Sequence, residues 1–145
     1  MKGLIQRVKR ASVTIDGKVY SEINQGILIL FGVEKGDNEQ NADKLADKLC
    51  KLRIFEDEDG KMNKSILDVN GEILIVSQFT LAGDCKKGTR PSFDKAELPQ
   101  RANELYEYFV DLIKQKNIPV GTGVFGAMMD VELVNDGPVT FMLEF

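Results

Sequence analysis

The chain has 145 residues, of which 43% are hydrophobic and 29% are charged, with a formal net charge of −4 and no histidine. This length and composition are typical of one globular domain, here residues 1–145, and exclude a disordered chain. No apolar run approaches the roughly 20 residues that span a bilayer, so we expect no membrane partner. The lack of histidine excludes the commonest general base at neutral pH.

The amino-terminal residues and the cysteines indicate a cytoplasmic location. Gln6, Arg7 and Lys9 interrupt the only early apolar run, so it does not resemble a secretory signal. Cys50 lies in a helical pattern and Cys85 in a polar loop, where no histidine is present to activate it as a nucleophile. Because zinc sites draw on several Cys and His ligands, we expect no metal and no cofactor.

The first third of the chain is predicted to form strands. Residues 2–15 form the first, Asp16-Gly17 a hairpin turn, and Val19 to Ile23 the return strand. The continuous apolar run from Ile27 to Phe31 predicts a strand buried on both faces. A helix then begins at Asp37 or Asn38, with Gln40 three residues after Asp37 in a capping-box arrangement.

The rest of the chain repeats this alternation. Asn70-Gly71 predicts another hairpin turn, followed by a buried strand that ends in Ser77 to Thr80. A long loop runs from Leu81 to about Leu98, Pro99 begins a second helix, and residues 119–145 return to strands. This order predicts an α+β fold, with a mixed, mostly antiparallel sheet curled towards a barrel and two main helices.

Two polar stretches interrupt apolar strands. In the first, Ser77-Gln78-Phe79-Thr80, backbone N–H groups beyond the strand end could stabilise a developing oxyanion, at roughly 3 kcal/mol each. The alternative is that these side chains only cap the strand end. In the second, residues 135–140, Pro138 cannot donate to a sheet ladder. Gly137-Pro138 is either a position where a cis peptide bond costs little free energy, because it precedes a proline, or part of an ordinary hairpin turn.

The long loop carries a local excess of positive charge. Five basic residues stand against two acids between Lys86 and Arg101: Lys86, Lys87, Arg90, Lys95 and Arg101. Such a loop beside a polar site suits a phosphate-bearing substrate, although a solvated surface explains it equally simply.

Taken together, these segments resemble the D-aminoacyl-tRNA deacylase family over essentially the whole chain. The signature motifs are Ser77-Gln78-Phe79-Thr80-Leu81 and Asn135-Asp136-Gly137-Pro138-Val139-Thr140. Minor motifs follow in the same order: Ile5-Gln6-Arg7-Val8, Leu52-Arg53-Ile54-Phe55, Arg90-Pro91-Ser92-Phe93 and Thr122-Gly123-Val124-Phe125-Gly126-Ala127.

The resemblance implies a homodimer that hydrolyses the ester between a D-amino acid and the 3′-terminal adenosine of tRNA. It also implies activity on glycyl-tRNA. The Gly137–Pro138 bond would be cis and reach into the partner subunit's pocket to reject L-amino acids, with Arg7 holding the segment. The backbone N–H groups of Phe79 and Thr80 would stabilise the oxyanion.

The resemblance assigns the remaining roles as follows. Ser77 and Gln78 would shape the pocket, and Phe125 would contact the terminal adenosine. Thr80 matches a residue once assigned as nucleophile in the family, but without a base to activate it we expect water to attack, assisted by the substrate's 2′-OH. The stretch Ala82-Gly83-Asp84 departs from the usual aromatic-then-small pattern and leaves side-chain preference open.

Three other functions remain compatible with the sequence. The first is a sister deacylase that removes mischarged L-amino acids and has a trans Gly-Pro bond. The second is a non-catalytic module that binds the CCA end of RNA through the basic loop and Phe125. The third is a small esterase that does not act on tRNA.

Overall fold

The computed structural model describes all residues from 1 to 145. Eight strands, two α-helices and a short 3₁₀ turn follow one another along the chain. They are β1 (Lys2–Ile15), β2 (Lys18–Ile23), β3 (Gly26–Gly32), α1 (Glu39–Lys51), β4 (Phe55–Glu56), β5 (Met62–Lys64), β6 (Glu72–Ser77), the 3₁₀ turn (Phe79–Ala82), α2 (Pro99–Lys114), β7 (Val120–Thr122) and β8 (Asp130–Glu144). Neither helix is long and apolar enough to cross a membrane.

The main sheet is mixed and nearly closed into a barrel, which confirms the predicted fold class. Its order is β2-β1-β3-β6-β7, and the long β1 also pairs with β8. The pairs of β1 with β2, β3 and β8 are antiparallel, whereas β3–β6 and β6–β7 are parallel. The hydroxyl of Ser21 on β2 donates to the carbonyl oxygen of Thr122 on β7, so the two ends of the path meet.

The sheet buries both of its faces, as the continuous apolar run in β3 predicts. Ile27 and Ile29 belong to a cluster of 24 buried residues beneath α1 and α2. In this cluster the rings of Phe31 and Phe109 stack with centroids 4.6 Å apart. Leu28 belongs to a second cluster of seven buried residues on the opposite face, inside the barrel. The two helices therefore cover one face while the curled sheet covers the other.

Two glycine positions explain how the strands connect. The Asp16-Gly17 turn joins β1 to β2 as predicted, and both residues have positive φ, at 50° and 73°. Gly26 begins β3, where an added Cβ would lie only 1.8 Å from the carbonyl oxygen of Glu72. Because backbone fills that space, only glycine allows β3 and β6 to pair this closely.

Two details of the predicted elements are wrong. The capping box of α1 uses Asn38 and Asn41, not Asp37 and Gln40. The carboxylate of Asp37 instead accepts hydrogen bonds from the N-terminal ammonium, at 2.6 Å, and from the N–H of Glu34, at 2.7 Å. Asn70-Gly71 does not close a hairpin, because β6 pairs in parallel with β3 and β7, and β5 pairs with β4.

The second polar stretch lies within β8 and forms a wide bulge. Thr140 pairs with Gln6 and Asn135 with Val8, so residues 136–139 stand opposite Arg7 alone. Because β8 continues along β1 on both sides of the bulge, the stretch is not a hairpin turn. The Gly137–Pro138 peptide bond within it is cis.

Candidate functional site

An open cleft of about 550 Å³ lies between the end of β6, the beginning of α2 and the segment that joins β7 to β8. Since β6 and β7 are parallel, their carboxyl ends lie at the same edge of the sheet, a common location of binding sites. Ser77, Gln78 and Phe79 form one side of the cleft, and Phe125 and Met129 are also part of its lining. The cleft thus brings the first polar stretch together with Phe125.

Two backbone N–H groups begin the 3₁₀ turn beside this cleft. The N–H of Gln78 donates to the carbonyl oxygen of Phe31 at 2.7 Å. The N–H of Leu81 donates to the carbonyl oxygen of Gln78, which is the first hydrogen bond of the 3₁₀ turn. Between them, the N–H groups of Phe79 and Thr80 occupy the first two positions of the turn, and no side chain caps this end. Unpaired donors at a helix beginning are available to a ligand oxygen.

The side chain of Thr80 lies outside the cleft lining. It is exposed, and its hydroxyl oxygen accepts a hydrogen bond from the side-chain amide of Gln78. No base contacts this hydroxyl, because its partner is the amide donor of Gln78 and the chain has no histidine. The geometry therefore provides nothing to activate Thr80 as a nucleophile.

Phe125 separates the cleft from a groove on the outer side of α2. The groove has a volume of about 550 Å³, and Tyr20, Glu107 and Asp111 are among the residues that line it. Phe125 packs against Tyr106 with ring centroids 6.2 Å apart. Burial raises the pKa of Tyr106 to about 12, and its hydroxyl donates to the carbonyl oxygen of Ile75 at 2.8 Å. The ring of the neutral Tyr106 thus supports the ring of Phe125.

Glu97 is a cleft residue that the sequence did not single out. It is the one charged side chain among the 13 residues that line the cleft. Its carboxylate accepts the N–H of Leu98 at 2.7 Å and forms no ion pair. A space of about 20 Å³ behind the cleft is lined in part by Ser77, Gln78 and Glu97, with room for about one water molecule.

The Ala82-Gly83-Asp84 departure has a structural role. Ala82 is buried, and a Cβ at Gly83 would lie 2.9 Å from the carbonyl oxygen of Thr80 and 3.1 Å from the ring of Phe93. Phe93 in turn contacts Phe79, with centroids 5.1 Å apart. The small residue therefore allows the long loop to pack against the 3₁₀ turn.

Arg7 is buried and binds the bulge that contains Gly137 and Pro138. Its Nε donates to the carbonyl oxygen of Asp136 at 3.0 Å and lies 3.0 Å from the Asp136 carboxylate. Its Nη1 donates to the carbonyl oxygen of Ile54 at 2.6 Å, and its Nη2 lies 3.6 Å from Glu56. Four partners thus hold one guanidinium beneath the bulge.

Asn135 completes this support and was not assigned a role from the sequence. Its amide donates to the carbonyl oxygens of Arg7, at 3.0 Å, and Val139, at 3.2 Å. An added Cβ at Gly137 would lie 2.5 Å from its Oδ1. The Asn135 side chain therefore spans the bulge and leaves room at Gly137 for glycine alone.

Within this chain, the bulge and the cleft are far apart. Gly137 and Pro138 are exposed, and neither lines the cleft. Across the sheet, β1 and β3 separate β8 from β6, which is a distance of roughly 14 Å. Along the strands, Arg7 opposite the bulge is in register with Ile73, which lies four residues before Ser77. The chain alone therefore does not bring Arg7, Gly137 and Pro138 together with Ser77 to Thr80.

The cysteines and acidic side chains form no further reactive centre. Burial raises the pKa of the Cys50 thiol to about 11, which keeps it protonated, while Cys85 is exposed and free. No group of three or more His, Cys, Asp or Glu side chains is arranged to hold a metal ion.

Comparisons with known proteins agree over the whole length. The family model described as D-Tyr-tRNA(Tyr) deacylase matches residues 4–144. A protein named D-aminoacyl-tRNA deacylase from Geotalea daltonii is 59% identical over 144 residues, covering 99% of this chain and 96% of that relative. Another of the same name from Pseudoalteromonas translucida is 61% identical, with 99% of each chain covered.

Solved structures share the same fold. One described as c-Myc DNA Unwinding Element Binding Protein has a TM-score of 0.95 and 42% sequence identity, and the match covers 100% of this chain and 99% of that one. Another, described as a probable eukaryotic D-amino acid tRNA deacylase, has a TM-score of 0.80 at 17% identity, covering 99% and 98% of the two chains. The family model and the relatives lead to one conclusion: the chain belongs to the D-Tyr-tRNA(Tyr) deacylase family.

Proposed function

We propose that this protein is a D-aminoacyl-tRNA deacylase, a hydrolase that releases the D-amino acid and free tRNA. The observation that carries the proposal is the cleft in which Ser77, Gln78 and Phe79 lie with Phe125, beside the uncapped beginning of the 3₁₀ turn. The relatives named for this activity support it, since they match along nearly the whole chain. Residues 1–145 act as one domain, in the cytoplasm.

Catalysis relies on positioned donors instead of a titrating side chain. The N–H groups of Phe79 and Thr80 stabilise the tetrahedral oxyanion, and each such donor is worth roughly 3 kcal/mol. Water attacks the ester carbonyl with help from the 2′-OH of the terminal ribose. Ser77 and Gln78 shape the pocket, and Phe125 contacts the terminal adenosine.

Rejection of L-amino acids requires a second subunit. We place the exposed bulge with Gly137 and Pro138 in the cleft of a partner subunit in a homodimer, because it lies far from the cleft of its own chain. There its carbonyl groups contact the α-amino group, and an L side chain clashes with the segment. A 1,000-fold preference requires about 4 kcal/mol, which a rigid clash supplies. Glycine has no side chain to clash, so glycyl-tRNA is also a substrate.

Matched aminoacyl-tRNAs test the reaction and its stereochemistry. The purified protein is incubated with D-tyrosyl-, L-tyrosyl- and glycyl-tRNA, and release of the amino acid is followed over time. We expect release from the D-tyrosyl and glycyl substrates and little from the L-tyrosyl substrate. Equal release of both enantiomers contradicts the chiral cleft. Binding of tRNA without any release indicates a binding module instead.

Mixed dimers test whether the bulge acts on the partner subunit. Pro138→Ala alters the exposed segment, whereas Ala127→Trp fills the cleft from one of its lining residues. The first variant alone should hydrolyse both enantiomers, and the second should be inactive. In a dimer with one subunit of each kind, the cleft of the Pro138→Ala subunit is open and receives the intact Gly-Pro segment of the Ala127→Trp subunit. Selectivity for the D-substrate should therefore return. If the bulge acted on its own subunit, mixing would restore nothing.

A further inference from the structure

The tip of the long loop presents three cations without acidic partners. Lys86, Lys87 and Arg90 are all exposed. None of them is part of any of the 11 ion pairs in the structure, although the chain as a whole carries a net charge of −4. We call Lys86 to Arg90 the basic tip. An unpaired cluster on an acidic protein is a local attraction for anions.

The two acids at the base of the loop accept hydrogen bonds within the loop itself. Asp84 and Ser92 exchange two backbone hydrogen bonds, at 2.8 and 3.0 Å, which closes the loop below the basic tip. The Asp84 carboxylate accepts the N–H of Lys86, and the Asp94 carboxylate accepts the hydroxyl of Ser92. Both carboxylates are thus used in shaping the loop, and neither forms an ion pair with the basic tip.

The closed loop is attached directly to the cleft. It leaves the 3₁₀ turn that begins at Phe79 and returns at Glu97 and Pro99, both of which line the cleft. Phe93, just beyond the basic tip, packs on Phe79. The N–H of Lys35 donates to the carbonyl oxygen of Lys95 at 2.9 Å, which fixes the returning segment. The two ends of the loop are therefore fixed at the cleft, and the basic tip projects from them.

We propose that the basic tip binds backbone phosphates of the tRNA acceptor end while the terminal adenosine occupies the cleft. This inference rests on the proposed function, because that function places the end of an RNA strand in the cleft. The basic tip has point charges and no aromatic side chain, so it suits phosphate contacts, which position a nucleic acid without reading its sequence. It therefore accepts acceptor ends of different sequence.

The test uses the triple variant Lys86→Gln, Lys87→Gln and Arg90→Gln in the full-length protein. Binding of uncharged tRNA is measured by fluorescence anisotropy between about 50 and 200 mM salt. Three lost phosphate contacts should weaken binding at low salt by at least about tenfold and make the slope of log K against log salt shallower by about 2–3. An unchanged slope overturns the proposal.

A matched control separates a local contact from net charge. Lys44, Lys48 and Lys51 lie on exposed positions of α1 and also form no ion pair. Changing these three to Gln removes the same charge and should leave the salt slope of tRNA binding unchanged. Equal weakening in both triple variants means that only overall charge matters, which contradicts the basic tip as a binding site.

A truncated substrate separates this proposal from the proposed function. D-Tyrosyl-adenosine carries the ester but no phosphate backbone. We expect the basic-tip variant to hydrolyse it at the wild-type rate and to lose kcat/KM only on D-tyrosyl-tRNA. Slow hydrolysis of the small substrate would overturn the proposal. If the wild-type protein hydrolyses neither substrate, the proposed function fails, whereas binding of uncharged tRNA still tests the basic tip.

Discussion

The Arg7 guanidinium donates from Nε to the carbonyl oxygen of Asp136, the residue immediately before Gly137, at 3.0 Å. Arg7 comes from the middle of β1 and is only 4% exposed, so the bulge of β8 rests on a buried cation. The shape of an exposed segment is thereby set by the strand beneath it.

Arg7→Ala should destabilise the protein by about 3 kcal/mol. The substitution leaves the buried carbonyl of Ile54 without this donor and removes the cation beside Asp136. Urea unfolding followed by circular dichroism measures the loss. Arg7→Lys keeps the positive charge, but a single ammonium group cannot donate to the carbonyl oxygens of both Ile54 and Asp136 as the planar guanidinium does. We therefore expect its stability to lie between those of the wild type and Arg7→Ala. Wild-type stability of Arg7→Ala would show that the bulge does not depend on the guanidinium.

Thr80→Ala should keep deacylase activity within about tenfold of the wild type. The Thr80 hydroxyl has an amide donor and no base as its partner, so its loss removes no activated nucleophile. Single-turnover hydrolysis of D-tyrosyl-tRNA measures the effect, with Thr80→Ser as the matched control. Loss by several orders of magnitude in Thr80→Ala, rescued in Thr80→Ser, would restore Thr80 as the nucleophile.

Tyr106 should make the protein lose stability at alkaline pH. Burial raises its pKa from 10.0 to about 12, so the folded state holds a proton that the unfolded state releases. The stabilisation is complete below about pH 10 and is lost as pH rises to about 12, for a total of about 2–3 kcal/mol. Tyr106→Phe cannot titrate, so its unfolding free energy should fall less over this range.

Urea unfolding at about pH 9 and about pH 11.5 measures this difference. Near pH 9 the variant should be less stable by about 1 kcal/mol, because it lacks the hydrogen bond to Ile75. The gap should close or reverse at the higher pH. Parallel losses in both proteins would mean that Tyr106 does not resist ionisation.

Gly26→Ala should destabilise the fold by more than about 3 kcal/mol, enough to reduce the soluble yield. The new Cβ would lie 1.8 Å from a backbone oxygen of β6, which no rotamer change can relieve. Gly17→Ala is the control, because nothing lies within 4 Å of that Cβ and only the positive φ opposes it. We expect it to cost about 1 kcal/mol. Thermal unfolding ranks the two, and equal midpoints would contradict the close pairing of β3 and β6.

The sequence predicted an element well where the residues that define the element lie close together in the chain. The beginning of α1 near Asn38, Pro99 at the beginning of α2 and the Asp16-Gly17 turn all depend on residues close in the chain. The capping box was misplaced because the Asp37 carboxylate binds the N-terminal ammonium, 36 residues away. Asn70-Gly71 has hairpin chemistry, but the partner of β6 was decided by parallel pairing with β3.

The candidate site was predictable in part for the same reason. The motif from Ser77 to Thr80 is continuous, so it could be found in the sequence, and the structure places three of its residues in the cleft. Glu97 and Met129 reach the same cleft from separate segments, and neither lies in a pattern that marks it. The support of the bulge by Asn135 depends on β1 pairing and likewise has no local signal.

Phe125 borders the cleft, the groove outside α2 and the small space behind Ser77. The ring of this one residue therefore forms part of the boundary of all three spaces. A small side chain at this position would connect the outer groove with the cleft. Solvent would then enter the cleft from the side of α2 as well as from its open mouth, so the size of this residue decides how many routes lead into the cleft.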